Sequence, residues 1–306
     1  MRDALLRDLA QLPEVEVIVS CDARLPPPLS QQLALQIVEI APEDDVWQAW
    51  SHCIASADAV WPIAPETDGA LLRLTALVES QQKILFGSNS DAVKLAGSKY
   101  ATWLALQAAD INVVPTYLPE NWPGNQAGHW VAKPDDGVGC AGIIYFDTTA
   151  ALTDWLAQGG GTGHVIQPFM PGIPASISML CRQRRAWLLS CNRQKVSLHG
   201  ASFVYSGSLV NGMAQHWTEF DALAQRIARA IPGLCGYFGV DVLVDEGQLQ
   251  VFEINPRLTT SYVGLHEAIG CNPARLVLDL LYNHASTSAG FNMLKGSTQH
   301  VADVTV

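Results

Sequence analysis

The sequence predicts an α/β unit over residues 1–97, followed by α+β structure over residues 98–284 in two parts, one at about 110–166 and one at about 167–284. Three observations carry that reading. Short β-branched runs alternate with helical patterns in the first hundred residues, as in a parallel sheet. From Trp130 the pattern turns to strand, glycine loop, strand: WVAKP, DDGVGCAG, IIYF. From Ser176 to Asn255 alternating strands enclose one helix, the pattern of an antiparallel sheet.

The elements follow in order. An amphipathic helix precedes the run VEVIVS (Val15–Ser20), and ADAVWPI (57–63) gives a second strand. Apolar residues at Leu71, Leu72, Leu74, Leu77 and Val78 predict a helix over Asp68–Gln82, and Ile84–Gly87 gives a third strand. Units of this class open on a strand, so the expectation is an N-terminal domain short of one βα element. Ser98 caps a helix over 98–109. After the glycine loop come a helix at Thr149–Ala157, a GGGTG linker and the strand HVIQPF. A helix over Phe220–Ile231 interrupts the second sheet. Asn272 and Pro273 signal the start of the helix Pro273–Tyr282. Residues 285–306 read as a polar, loosely attached tail.

Composition sets the class. Hydrophobic residues make up 49% and charged residues 15%, which is globular rather than disordered. No apolar run approaches the roughly 18–20 residues that span a bilayer, and the charged start lacks a signal core. The expectation is a cytoplasmic protein without a membrane partner. A net charge of -11 argues against nucleic acid as the partner. A homodimer is compatible with the sequence. The seven Cys form no CxxC pair, which excludes a zinc knuckle or disulfide framework as the organising principle.

The strongest chemical signal is GYFGVDVLVDEGQLQVFEINPR (236–257). It reads as a hairpin around Asp245, Glu246 and Gly247, a three-residue loop with a bulge. That register pairs Val244 with Gln248 and Asp241 with Val251. Val251, Glu253 and Asn255 then share a face, with Asp241 diagonal to Glu253. Two carboxylates and an amide oxygen among apolar neighbours form a hard-oxygen set suited to Mg²⁺. A solvent-facing acidic strand is the plainer alternative. Arg257, on the same face at the strand end, favours a phosphate site.

The second signal is Lys133 at the end of WVAKP, followed by Asp135, Asp136, Gly137, Gly139, Cys140 and Gly142. Such a loop lets backbone N–H groups approach an anion. It is neither a P-loop, since no GK[ST] and helix follow, nor a Rossmann turn. The third is HVIQPFMPG, where Gln167, Pro168, Phe169 and Met170 read either as an interdomain hinge facing an adenine edge or as an edge strand. Asn192, Arg193, Gln194 and Lys195 follow the strand AWLLSC and are candidates for a substrate cleft, against the plainer reading of a solvated strand end. Thr259, Thr260, Ser261 and Tyr262 offer hydroxyls beyond the acidic strand, or simply cap a helix. No GxSxG or HExxH pattern is present.

These segments, in this order, resemble the ATP-grasp superfamily across most of residues 55–282. The matching phrases are IAPE (63–66), GSKYATWLALQAADINVVPT (97–116), VAKPDDGVG (131–139), VIQPFMPG (165–172) and VFEINPR (251–257). The resemblance implies a pre-ATP-grasp domain at 1–97 and an ATP-grasp domain at 98–284. It implies ATP and two Mg²⁺ as cofactors, with Mn²⁺ able to substitute. Lys99 and Lys133 would bind ATP phosphates, and Asp136, Gly137 and Gly139 would cover them. Adenine would lie at Gln167–Met170. Asp241, Glu253 and Asn255 would hold the metals with Glu253 bridging, and Arg257 and Lys133 would be the catalytic cations. Ser98 stands where the family commonly has an acid, and Pro174 where many members carry a Glu for the ribose. GIPASIS (172–178), CNRQ (191–194) and EINPRLTTSYVGL (253–265) are similar to the tyramine–L-glutamate ligase branch associated with methanofuran synthesis. That implies γ-glutamyl amide formation from the small carboxylate L-glutamate and an aromatic amine such as tyramine through an acyl phosphate, with release of ADP and phosphate. A nucleotide-binding scaffold without turnover, a biotin-type carboxylase component and a metal-dependent hydrolase are the rivals.

Overall fold

A computed structural model describes residues 1–28, 35–124, 126–282 and 300–306. Helix α1 (Arg2–Leu9) leads to strand β1 (Val17–Asp22), which pairs in parallel with β2 (Leu35–Ile40). Helix α2 (Val46–Ser56) starts where the Asp45 carboxylate accepts the N–H groups of Trp47 and Gln48. Strand β3 (Ala59–Val60), helix α3 (Ala70–Ser80) and strand β4 (Ile84–Leu85) follow, with β3 and β4 parallel. Parallel pairing is as the sequence predicts, but it comes as two separate pairs instead of one sheet. β3 is two residues long because Pro62 and Pro65 just beyond it offer no N–H to extend a ladder.

Helices α4 (Ser90–Ala96) and α5 (Lys99–Ala108) carry the chain into the second region; the Ser98 hydroxyl accepts from Ala101 N–H and caps α5. Strands β5 (Trp130–Pro134) and β6 (Ile144–Phe146) flank the glycine loop, and helix α6 (Thr149–Ala157) leads to β7 (His164–Pro168) on the other side of β5. Then come β8 (Ile173–Arg182), the long β9 (Arg185–His199), β10 (Ser202–Val210), helix α7 (Trp217–Ala230), β11 (Gly236–Asp245) and β12 (Gln248–Asn255). Helices α8 (Leu265–Ile269) and α9 (Pro273–Leu281) follow, α9 being capped by Asn272 with Pro273 in its first turn. Residues 285–299 of the expected tail lie outside the described residues. The last residues are not loose: β13 (Ala302–Thr305) pairs antiparallel with β10.

The strand order is β12-β11-β8-β9-β10-β6-β5-β7, with β13 also on β10. The tip of the β9–β10 hairpin carries the ladder from one α+β part to the other: Ser202 pairs with Ile144, and Tyr145 N–H donates to Ala201 O at 2.8 Å. One face of β8–β12 buries Ile177, Met179, Val240, Val242, Val251 and Ile254 against Phe220, Ala224 and Ile227 of α7. The other buries Leu180, Leu189 and Tyr237 against Leu5 of α1, Leu265 of α8 and Val277 of α9. Two pleats beyond Tyr237 on that second face stands Asp241.

Candidate active site

The acidic pair is built by a turn and a bulge together. Glu246 (φ 47°) and Gly247 (φ 80°) are both left-handed, as a two-residue hairpin turn requires, and Asp245 pairs with Gln248. The three-residue loop expected from the sequence is therefore corrected. A regular ladder from this turn would set Asp241 against Phe252. Instead β12 carries a bulge: Val242 pairs with Val251 but Asp241 with Glu253, so Phe252 is the extra residue. The bulge turns Val251 and Ile254 into the α7 core and puts Glu253 directly opposite Asp241. Val251 does not share the acidic face, contrary to the sequence expectation.

Around this pair the polar groups converge. Asp241 accepts from Gln194 Nε2 at 2.9 Å and from Asn255 Nδ2 at 3.2 Å. Asn255 Oδ1 accepts from Arg257 Nη2 at 3.3 Å. Burial and then the Glu253 charge drive the Asp241 carboxyl well above the carboxylate range. Glu253 goes the other way: burial pushes its carboxyl up, but Lys99 and Lys133 overcome that and hold it below its usual value. Lys133 Nζ lies 4.5 Å from the Phe252 ring centroid, and burial pushes its ammonium down to about 8 against the pull of Glu253. An ammonium so desolvated is a ready partner for phosphate oxygens.

The glycine loop is tied down from three sides. Lys99 Nζ donates to the carbonyls of Pro134, Asp135 and Gly137 at 3.1, 3.4 and 2.8 Å and stands 3.3 Å from Glu253 Oε2. The Asp135 carboxylate accepts Tyr100 N–H, and Asp136 accepts Asp68 N–H through Oδ2, both at 2.9 Å. Gly139 (φ +62°) has no atom within 4 Å of where a Cβ would stand, so its backbone is open to a ligand. Strand β7 lies at the edge of the sheet, the plainer of the two readings of HVIQPFMPG; its Gln167 is buried, with Nε2 donating to Thr116 Oγ1 at 2.9 Å and Oε1 without a partner. Phe169 N–H donates to His129 O at 2.9 Å, so it is not the group an adenine edge would meet.

Residues 96–261 match the model of the ATP-grasp domain, and residues 15–93 that of the pre ATP-grasp 3 domain. The chain belongs to the ATP-grasp family. It is similar to the tyramine–L-glutamate ligase of Methanocaldococcus jannaschii, with 30% identity over 234 residues, which covers 76% of this chain. The chain spans 66% of that relative's length. Among solved structures, an ATP-grasp superfamily protein from Archaeoglobus fulgidus superposes with a TM-score of 0.68 at 25% identity, covering 92% of this chain and 79% of that one. The L-amino acid ligase of Bacillus licheniformis shares the fold, with a TM-score of 0.72 at 18% identity over 90% of this chain and 70% of that one.

An ATP-grasp site needs MgATP, and the residues fit it. Among the described residues no three His, Cys, Asp or Glu side chains cluster as a metal site. The set is instead two facing carboxylates and the Asn255 amide, which suits an ion that commonly takes one or two carboxylates and completes its shell with phosphate and water. A cation there would remove the repulsion that raises Asp241. Gln167 Oε1 is unpartnered and Lys133 is desolvated by burial, so both could take polar groups of a ligand.

Several candidates sit elsewhere than expected. Tyr262 is 1% exposed and packs edge-on against Trp61 and Tyr237, inside the α8–α9 core; it is no substrate contact. Ser261 is buried with its hydroxyl 3.2 Å from Ser208 Oγ. Arg193 alternates away from Gln194 and Asp241 and is exposed. Asn192 stays on the Asp241 face but is fully buried, donating to Ser176 and Ser178 hydroxyls at 3.2 and 3.1 Å. It braces the floor of the site. Lys195 pairs with Asp303 of β13.

Two residues were missed. Tyr205 on β10 reaches the site: burial raises its hydroxyl, hydrogen bonds from Ser208 and Thr260 offset this, and the Asp241 charge adds to the rise. Through this contact Thr260 joins the polar groups around Tyr205, while the Thr259 hydroxyl lies 2.9 Å from Tyr237 OH on the Asp241 face of β11. Glu66 of the IAPE phrase pairs with Arg257, Oε2 to Nε 2.8 Å, while its buried Oε1 has no partner. An orphaned charged oxygen costs about 1–3 kcal/mol or more. The only signal was the phrase itself, since the partners stand 191 residues apart.

Proposed function

We propose that the protein is an ADP-forming carboxylate–amine ligase that joins L-glutamate, through its γ-carboxylate, to an aromatic amine such as tyramine, as part of methanofuran-type cofactor synthesis. The observation that carries the reading is the Asp241–Glu253 pair facing Lys133 with Arg257 at the strand end. A hydrolase would need the acids but not the lysines and the glycine loop. The likeness to the tyramine–L-glutamate ligase supports the substrates.

Lys133 and Lys99 would take phosphate oxygens of ATP, and the open backbone around Gly139 would cover them. Asp241, Glu253 and Asn255 would hold two Mg²⁺ ions, for which Mn²⁺ can substitute. When bound, they neutralise the phosphate oxygens that must meet the attacking carboxylate. That carboxylate takes the γ-phosphoryl group, ADP leaves, and the mixed anhydride is attacked by the amine with loss of phosphate. Arg257, held by Glu66, steadies the transferred group. Asp135 and Asp136 tie the loop to Tyr100 and Asp68, and closure of the loop over the site would exclude water from the acyl phosphate. Catalysis here is positioning and charge neutralisation.

The test is ADP release from MgATP with L-glutamate and tyramine, separately and together, with the product weighed by mass spectrometry. ADP and an amide formed only with both substrates is the expected result. No ADP with any carboxylate and amine, despite nucleotide binding, favours the scaffold.

A further inference from the structure

The site holds three carboxylates and three cations: Asp241, Glu253 and Glu66, with Lys99, Lys133 and Arg257. The ligase reading uses the lysines and Arg257 on phosphate and the first two acids on metal. Glu66 is left over. Its side chain is 6% exposed, one oxygen is fixed on Arg257 and the other has no partner.

Its surroundings tie it to both halves of the site. Burial raises the Glu66 carboxyl above its usual range, Arg257 pulls it down, and the nearby Glu253 charge adds to the rise. The next two residues touch the glycine loop: Thr67 Oγ1 donates to Asp136 O at 3.3 Å, and Asp68 N–H to Asp136 Oδ2 at 2.9 Å. The segment 66–68 therefore spans from the loop over the phosphates to the arginine at the end of β12. An amine substrate reaches this region as an ammonium ion, and the two other carboxylates are spoken for by metal. A buried carboxylate oxygen without a donor, beside the arginine of the transferred phosphoryl group, is the complement of that ammonium.

Resting on the ligase reading, we infer that Glu66 of the N-terminal domain is the acceptor for the ammonium group of the amine substrate, taking it on Oε1 while Oε2 fixes Arg257, and receiving the proton that the nitrogen must lose before its lone pair attacks the acyl phosphate. The carboxylate-activating half of the site then lies on β5 and β11–β12, and the amine is recognised from the other domain. Glu66→Gln keeps an oxygen for Arg257 and removes the charge.

The experiment compares two nucleophiles on the same acyl phosphate: tyramine, which arrives charged, and hydroxylamine, which is uncharged near neutral pH and traps the intermediate as a hydroxamate. Both are measured with MgATP and L-glutamate in wild type, Glu66→Gln and Glu66→Ala, with thermal unfolding as the check on folding. The expected result is a ratio of amide to hydroxamate about 10- to 100-fold lower in Glu66→Gln, through a higher KM for tyramine. An unchanged ratio in Glu66→Gln, with both products kept or both lost together, overturns the inference and leaves Glu66 as a brace for Arg257 or the fold. Wild type forming neither product would sink the ligase reading itself, and this inference with it.

Discussion

Glu253 is the residue on which the charges balance. It opposes Asp241 across the ladder, accepts Lys99 at 3.3 Å and pulls against the burial of Lys133. Glu253→Gln keeps the volume and removes the metal-binding charge, so turnover should fall by about 10²–10³-fold or more. The thermal midpoint should stay within a few degrees, because relief of the repulsion at Asp241 offsets the lost pairing with Lys99. Full ADP release by the variant would remove the metal role. Lys133 gives a second, proton-linked prediction. Its ammonium titrates near 8 in the free protein, so at pH 9 it is mostly neutral. Phosphate beside it favours the charged form and raises its pKa. ADP binding to the Asp241→Asn variant in EDTA, which keeps both metal and the Asp241 carboxyl out of the balance, should then take up protons at pH 9. Calorimetry in buffers of different ionisation heat reads the sign, and proton release would contradict the assignment.

Among the elements, the glycine loop offers a graded test. Gly139 is left-handed with open space where a Cβ would go, whereas a Cβ at Gly142 (φ +71°) would stand 2.8 Å from Pro134 Cγ. Gly139→Ala meets only the backbone penalty of about 1–2 kcal/mol, while Gly142→Ala must also move the loop off Pro134. The ATP KM should rise more for Gly142→Ala than for Gly139→Ala, with the unfolding midpoint lowered by only a few degrees in Gly139→Ala and by more in Gly142→Ala. The reverse order would separate the loop from the nucleotide. Helices with polar caps and apolar stripes, α6 and α9, were legible in the sequence because caps and periodicity are local. The β11–β12 hairpin was legible as an acidic pair but not in register. Asp-Glu-Gly suits two loop lengths, and a one-residue bulge at Phe252 leaves no mark in the alternation. Strand β2 and helix α2 went unread although Pro26, Pro27 and Pro28 precede the strand, Pro42, Asp44 and Asp45 separate it from the helix, and Asp45 caps the helix.

At the scale of the molecule, the site is assembled by contacts far apart in sequence, and these are what the sequence could not show. Arg257 meets Glu66 of the N-terminal domain, α1 packs against α9, and β13 closes on β10. The last strand buries Ala302 and Val304 beside Gly264 and Gly207. Removing residues 302–306 should cost about 2–4 kcal/mol by lost apolar burial. It should also loosen the 260–264 turn and raise the KM for the carboxylate. An unfolding midpoint unchanged by the truncation would show β13 to be ornamental. The central claim is that this assembled cleft activates a carboxylate by phosphorylation. It is tested most directly by turning over L-glutamate labelled with oxygen-18 in the γ-carboxylate, with MgATP and tyramine. The account predicts one labelled oxygen in the phosphate released with each ADP and the other in the amide. Unlabelled phosphate alongside amide product would contradict it.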